Sequence, residues 1–159
     1  MIARIYEELL ETGYGDFDGA FRSTLGPDDI LVVAPFNFQV RQLQKELGEF
    51  ARVGTVDKFQ GQQAPVVLIS MCSSTIEDSP RGAEFLFNAN RLNVAISRAK
   101  ALAVVVANPH LAEVRGKSIR EMEQANLFCR LLRQGIEIEN VAYPSKIFSE
   151  SAMMKGLVA

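Results

Sequence analysis

Three almost wholly apolar runs constrain this chain more than any other feature: Ile30-Leu31-Val32-Val33-Ala34, closed by Pro35; Pro65 to Cys72 (PVVLISMC), broken only by Ser70; and Ala101 to Ala107 (ALAVVVA). A strand with one wet face alternates apolar and polar residues, whereas a run that is apolar at every position needs cover on both faces, the pattern of parallel strands in an α/β sheet. Arg52 to Val56 predicts a further strand between the first two runs.

The cover is also readable. Ile2, Ile5, Tyr6, Leu9 and Leu10 recur at helical spacing, as do Val40, Leu43, Leu47 and Phe50, with that second helix ending near Gly48. Asn88 to Ala99 predicts a third helix. Ser118 with Glu121 forms a capping box that opens a closing helix to Leu132, its apolar face made of Met122, Ala125, Cys129 and Leu132. Between the first helix and the first strand, Gly13, Gly15, Gly19 and Gly26 predict a loose polar connection, and Ser73 to Arg81 a polar loop. The fold expected is α/β, an open, mostly parallel sheet with helices on both faces. Residues 1–140 form one domain, and 141–159 read as a tail without periodicity.

A chain of 159 residues that is 48% hydrophobic can bury a core without covalent staples. Its formal charge of -2 excludes a surface that is basic throughout, so any phosphate contact must be local. Cys72 and Cys129 have no metal-ligand spacing and read as buried, reduced thiols. No apolar stretch approaches the ~20 residues of a membrane span and no signal peptide is evident, which predicts a cytosolic or nuclear protein without a membrane partner.

Ligands of parallel sheets gather at the carboxyl ends of the strands, so the segments after each apolar run are where chemistry is sought. Pro35-Phe36-Asn37-Phe38-Gln39 places an aromatic directly after a strand, either to stack on a base or to fill the core. In Gly54 to Gln63, Thr55 and the amides after it suit a phosphate, Gly61 permits close backbone approach, and Asp57 reads equally as the N-cap of a short helix. In Asn90 to Lys100, Arg91 and Arg98 are seven residues apart and share one helix face, with no acidic residue between Asn88 and Lys100. They are either phosphate ligands or a solvated, salt-bridged face.

Taken together, in this order and separation, these segments resemble motifs IV, V and VI of superfamily 1 helicases, of the branch containing the RNA-surveillance helicase and the replication helicase-nuclease. Val56-Asp57-Lys58-Phe59-Gln60-Gly61 is similar to motif V, and Arg91-Leu92-Asn93-Val94-Ala95-Ile96-Ser97-Arg98-Ala99 to motif VI. The resemblance covers about residues 25–110. It implies the second of two RecA-like motor domains, with ATP between them and a single strand of DNA or RNA lying across both.

Residue by residue, the resemblance implies that Arg98 is the arginine finger that reaches the γ-phosphate. Phe36 packs on adenine where relatives usually have Tyr, and Gly61 to Gln63 lie near the ribose and phosphates. Arg91 either joins the ATP site or orients its helix through an ion pair. Thr55, with Asp57, Lys58 and Gln60, lies along the strand. Gln63 departs from the pattern, since relatives commonly carry Glu there, a better acceptor for ribose hydroxyls.

Neither a phosphate-cradling Gly-x-x-x-x-Gly-Lys-[Ser/Thr] loop nor an acidic strand end for Mg2+ is present. Gly116-Lys117-Ser118 imitates only the end of such a loop, with Leu111 at its first glycine position. The expectation is half a motor from a longer protein, inactive alone. Its partners are the first RecA-like domain, the nucleic-acid strand and, in some relatives, a fused nuclease; ATP and Mg2+ are held mainly by that first domain. His110 has no catalytic partner at a recognisable spacing. The reading from another class is a non-catalytic nucleic-acid-binding or docking module with the same fold.

Overall fold

The computed structural model describes residues 1–15, 21–71, 88–108, 111 and 118–136. Along the chain these give α1 (Ile2–Leu10), β1 (Gly13–Gly15), β2 (Phe21–Thr24), β3 (Ile30–Val33), α2 (Asn37–Leu47), β4 (Arg52–Gly54), β5 (Ala64–Met71), α3 (Ala89–Ile96), β6 (Ala99–Ala107) and α4 (Ile119–Gln134). Four strands form one sheet in the order β4-β3-β5-β6, and every pairing in it is parallel.

The apolar runs become strands because both faces are covered. Leu31, Val33, Val67 and Ile69 point to one side and pack with Leu92, Ala95 and Phe128 of α3 and α4. Ile30, Val32, Val66 and Leu68 point to the other and pack with Tyr6, Leu9 and Leu43 of α1 and α2. Ile30, Leu31 and Val32 have 0% exposure, and each such side chain contributes roughly 1.5–3 kcal/mol relative to its exposed state. The result is the expected α/β, RecA-like architecture. Strand order reverses between β3 and β5, so a crevice opens at their carboxyl ends.

Several boundaries differ from the sequence reading. The glycine-punctuated connection contains β1 and β2, an antiparallel pair, in place of a loose loop. β4 stops at Gly54, and Val56–Phe59 is a 3-10 turn. α2 ends at Leu47 with Gly48 at φ +88°, which leaves Phe50 outside the helix and 78% exposed. α3 ends at Ile96 because strand pairing starts at once: Ala99 pairs with Ala64, and the Ala64 amide already bonds to the Arg98 carbonyl.

In α4 the Ser118 hydroxyl caps the helix by accepting the Glu121 amide at 3.2 Å, as expected, but Phe128 is the buried anchor. Met122 and Leu132, taken for the core face, are 48% and 39% exposed, and Cys129 is a half-buried thiol rather than a buried one. Cys72, the Ser73–Arg81 loop, His110, Gly116-Lys117 and the 141–159 tail lie outside the described residues. No helix among the described residues is long and apolar enough to cross a membrane.

Candidate nucleotide and nucleic-acid interface

The Thr55–Gln63 segment links the carboxyl end of β4 to the amino end of β5. It can turn sharply because residue 54 is glycine: a Cβ there would lie 2.5 Å from Lys58 Cδ and 3.0 Å from Phe59 Cε2. The tight 3-10 turn is closed by Lys58 N–H to Thr55 O at 3.0 Å and Gln60 N–H to Asp57 O at 3.3 Å. Thr55 holds the N-cap position, and its hydroxyl makes no capping bond. The N-cap reading of Asp57 is therefore corrected: Asp57 lies inside the turn, with its carboxylate turned to a partner elsewhere.

That partner is Arg91. Its Nη2 donates to Asp57 Oδ2 at 2.9 Å, across 34 residues of sequence. The Asn88 carboxamide oxygen caps α3 by accepting the Arg91 amide at 3.1 Å, which sets Arg91 in the first helical turn. The expectation that Arg91 and Arg98 share a helix face fails with the helix boundary, because Arg98 lies two residues beyond Ile96. Arg98 is half-buried, and its Nε donates to Val94 O at 3.1 Å and its Nη2 to Ser97 Oγ at 3.3 Å. The face read as salt-bridged or phosphate-binding is thus divided: Arg91 is in an ion pair, and Arg98 leans on the end of its own helix.

Lys58 folds back so that Nζ meets Val53 O at 2.7 Å and lies 5.8 Å from the Phe59 ring centre. Gly61 has φ +78°, and a Cβ built there meets nothing within 4 Å. Glycine is needed at that position for its backbone conformation, not for crowding within this chain. Gln60 and Gln63 are exposed.

Two groups of candidate residues emerge. Thr55, Asp57 and Arg91 stand at the carboxyl ends of the strands. Gln63 and Arg98 stand at the amino ends of β5 and β6, where Ala64 N bonds to Arg98 O at 3.0 Å.

Phe36 joins neither group as an open surface. It is 6% exposed and part of the core beneath α3 and α4, so the core alternative describes its ring in this chain. Phe38 stacks on it, with ring centres 5.6 Å apart and planes at 14°, and is 48% exposed. Sequence reasoning missed Phe38 as the solvent-facing aromatic; its position one residue into the helix after Asn37 was the available signal. It also missed Arg52, whose Nη1 and Nη2 reach Asp28 O at 2.6 Å and Gln62 Oε1 at 2.7 Å and so brace the far end of the Thr55–Gln63 segment. Among the described residues no three His, Cys, Asp or Glu side chains converge, and the arginine and glutamines here suit an anion rather than Mg2+.

Residues 1–110 match the family model described as "AAA domain". The chain is 34% identical over 102 residues to the "Probable RNA helicase armi" of Drosophila melanogaster, covering 59% of this chain and 9% of that protein. It is 38% identical over 96 residues to the RNA helicase Mov10l1 of Homo sapiens, covering 56% and 8%. To the DNA polymerase alpha-associated DNA helicase A of Schizosaccharomyces pombe it is 39% identical over 93 residues, covering 57% and 14%. The chain therefore spans only a small part of the curated relatives it matches. These similarities support a superfamily 1 helicase domain, and with residues 1–110 of its 159 matched, the chain belongs to the AAA domain family.

Proposed function

We propose that this chain is the C-terminal, second RecA-like motor domain of an ATP-dependent superfamily 1 helicase, supplying the arginine finger and part of the single-strand track. The observation that carries the reading is the Ala64–Arg98 backbone bond, which sets Arg98 at the same end of the sheet as Gln63, the residue before Ala64, while the Thr55 turn occupies the other end. A guanidinium suits phosphate oxygens and a carboxamide ribose oxygens; a turn hydroxyl that makes no capping bond suits a strand phosphate.

In this reading the cleft between two RecA-like domains closes on ATP and brings Arg98 to the γ-phosphate, whose cradle and Mg2+ ligands belong to the first domain. Arg98 then offsets charge that develops during hydrolysis. Reopening shifts the Thr55 turn along the strand. Gln63, a neutral amide, donates as well as accepts and so makes a weaker contact with ribose hydroxyls than a carboxylate would.

The test is ATPase activity, with and without single-stranded DNA or RNA, of this chain and of the polypeptide encoded by its full reading frame. Inactivity of the chain alone with strand-stimulated turnover in the longer polypeptide is the expected result. Absence of ATPase in the longer polypeptide overturns the motor and leaves the non-catalytic binding module as the better reading.

A further inference from the structure

We infer that the Asp57–Arg91 ion pair is the joint through which occupancy of the Thr55 turn reaches Arg98, which makes Asp57 a positioning residue rather than a strand contact; the inference rests on the function proposed above. A carboxylate repels phosphate oxygens, so Asp57 is ill suited to contact the phosphates of a strand laid along its turn. Its observed partner is Arg91 at 2.9 Å. Arg91 lies in the first turn of α3 and Arg98 just past the last. The helix is thus a short rod with the ion pair at one end and the finger at the other, about 10 Å apart at 1.5 Å per residue.

Three features let the rod respond. The pair is partly solvated, with side-chain exposures of 69% for Asp57 and 31% for Arg91, so its attraction is screened and a phosphate at Thr55 competes with Asp57 for the same guanidinium. Beside the helix, a small, partly open pocket is lined by Leu92 and Ala95 together with Val33, Ile69 and Met71. That edge of α3 is therefore not closed over by other side chains, which leaves it space for a small shift. At the far end the Arg98 guanidinium is bonded to Val94 O, a carbonyl of the helix itself, and so follows the helix, while the Arg98 backbone stays anchored to Ala64.

The experiment uses the full-length protein, a single-stranded oligonucleotide, and the variants Asp57→Asn and Asp57→Glu. Stimulated and unstimulated ATPase rates are measured together with oligonucleotide affinity by fluorescence anisotropy. Asp57→Asn is expected to bind the oligonucleotide as tightly as the parent, or more tightly, yet to lose about fivefold or more of the stimulation ratio, the lower end of ordinary coupling between sites. Asp57→Glu, which restores the anion, is expected to keep most of it. Full stimulation in Asp57→Asn overturns the inference. So does a loss of stimulation that merely tracks weaker binding, because Asp57 would then be a contact. A parent protein that no oligonucleotide stimulates overturns the functional reading itself, and that is seen before any substitution is made.

Discussion

The Ala64 amide donates to the Arg98 carbonyl across 3.0 Å, fixing the backbone of the candidate finger to the first residue of β5 while its side chain is steadied by Val94 O and Ser97 Oγ. A guanidinium held before its partner arrives loses little freedom on reaching a phosphate. In the full-length protein Arg98→Ala is expected to lower kcat by roughly 10³-fold or more, the range of arginine fingers, with nucleotide affinity near parental. Steady-state ATPase and a fluorescent-nucleotide titration check both halves; unchanged turnover removes Arg98 from the mechanism.

Phe36 and Phe38 stack on one another but should respond oppositely to truncation. Phe36 is 6% exposed in the core, so Phe36→Ala is expected to cost about 3–5 kcal/mol of stability. Phe38, at 48% exposure, loses little packing, and Phe38→Ala is expected to change stability by about 0.5 kcal/mol. Urea denaturation of the isolated domain separates the two; equal costs would contradict the observed burial.

Glycines at two positions serve for different reasons. Gly61 has φ +78° with open space around it, so Gly61→Ala is expected to cost about 1–2 kcal/mol from backbone strain alone. At Gly54, where a Cβ meets Lys58 Cδ at 2.5 Å and Phe59 Cε2 at 3.0 Å, alanine should also displace the lysine. Loss of protection at the Lys58 and Gln60 amides in hydrogen exchange would report the loosened turn, and it should appear in Gly54→Ala more than in Gly61→Ala.

Alkaline pH should destabilise the α1 side of the core. Burial, and secondarily the charge of Asp28, raises the Tyr6 phenol above its usual pKa of 10.0. The unfolded chain then loses that proton before the folded one does, so the Tyr6 contribution is intact below about pH 10 and is lost as pH rises from there through the folded pKa. Urea midpoints at about pH 9 and about pH 11 should fall with pH in the parent and fall less in Tyr6→Phe. An equal slope in both assigns the loss to other groups.

Much of the architecture was legible because strands covered on both faces must be apolar along nearly their whole length, and Ile30 to Val33, and Val66 to Met71 apart from Ser70, carry that requirement in their own composition. Element ends were harder to read. Nothing near Ser97 resembles a helix stop; the stop comes from Ala64, which belongs to another strand. In α4, periodicity gave an apolar sector but not which edge of it seats, and Phe128 was passed over for Met122 and Leu132. The site divided in the same way. Asp57 and Arg91 were each singled out for their chemistry, yet a contact spanning 34 residues leaves no local pattern, and the swap of roles between Phe36 and Phe38 depends on how a helix start sits over a sheet.

Lys58 has a consequence for how far the sheet extends. Gly54 O is taken by the Ala34 amide inside the sheet, so strand alternation turns the neighbouring Val53 O outward from β4, and Lys58 Nζ fills it at 2.7 Å. An incoming strand would have to strip an ammonium from that carbonyl and bring its own backbone against a fixed positive charge. The β4 rim is thereby closed to templated growth by one of the same turn residues proposed to follow the nucleic acid. Replacing Lys58 with methionine should therefore show first as concentration-dependent self-association, before any loss of fold.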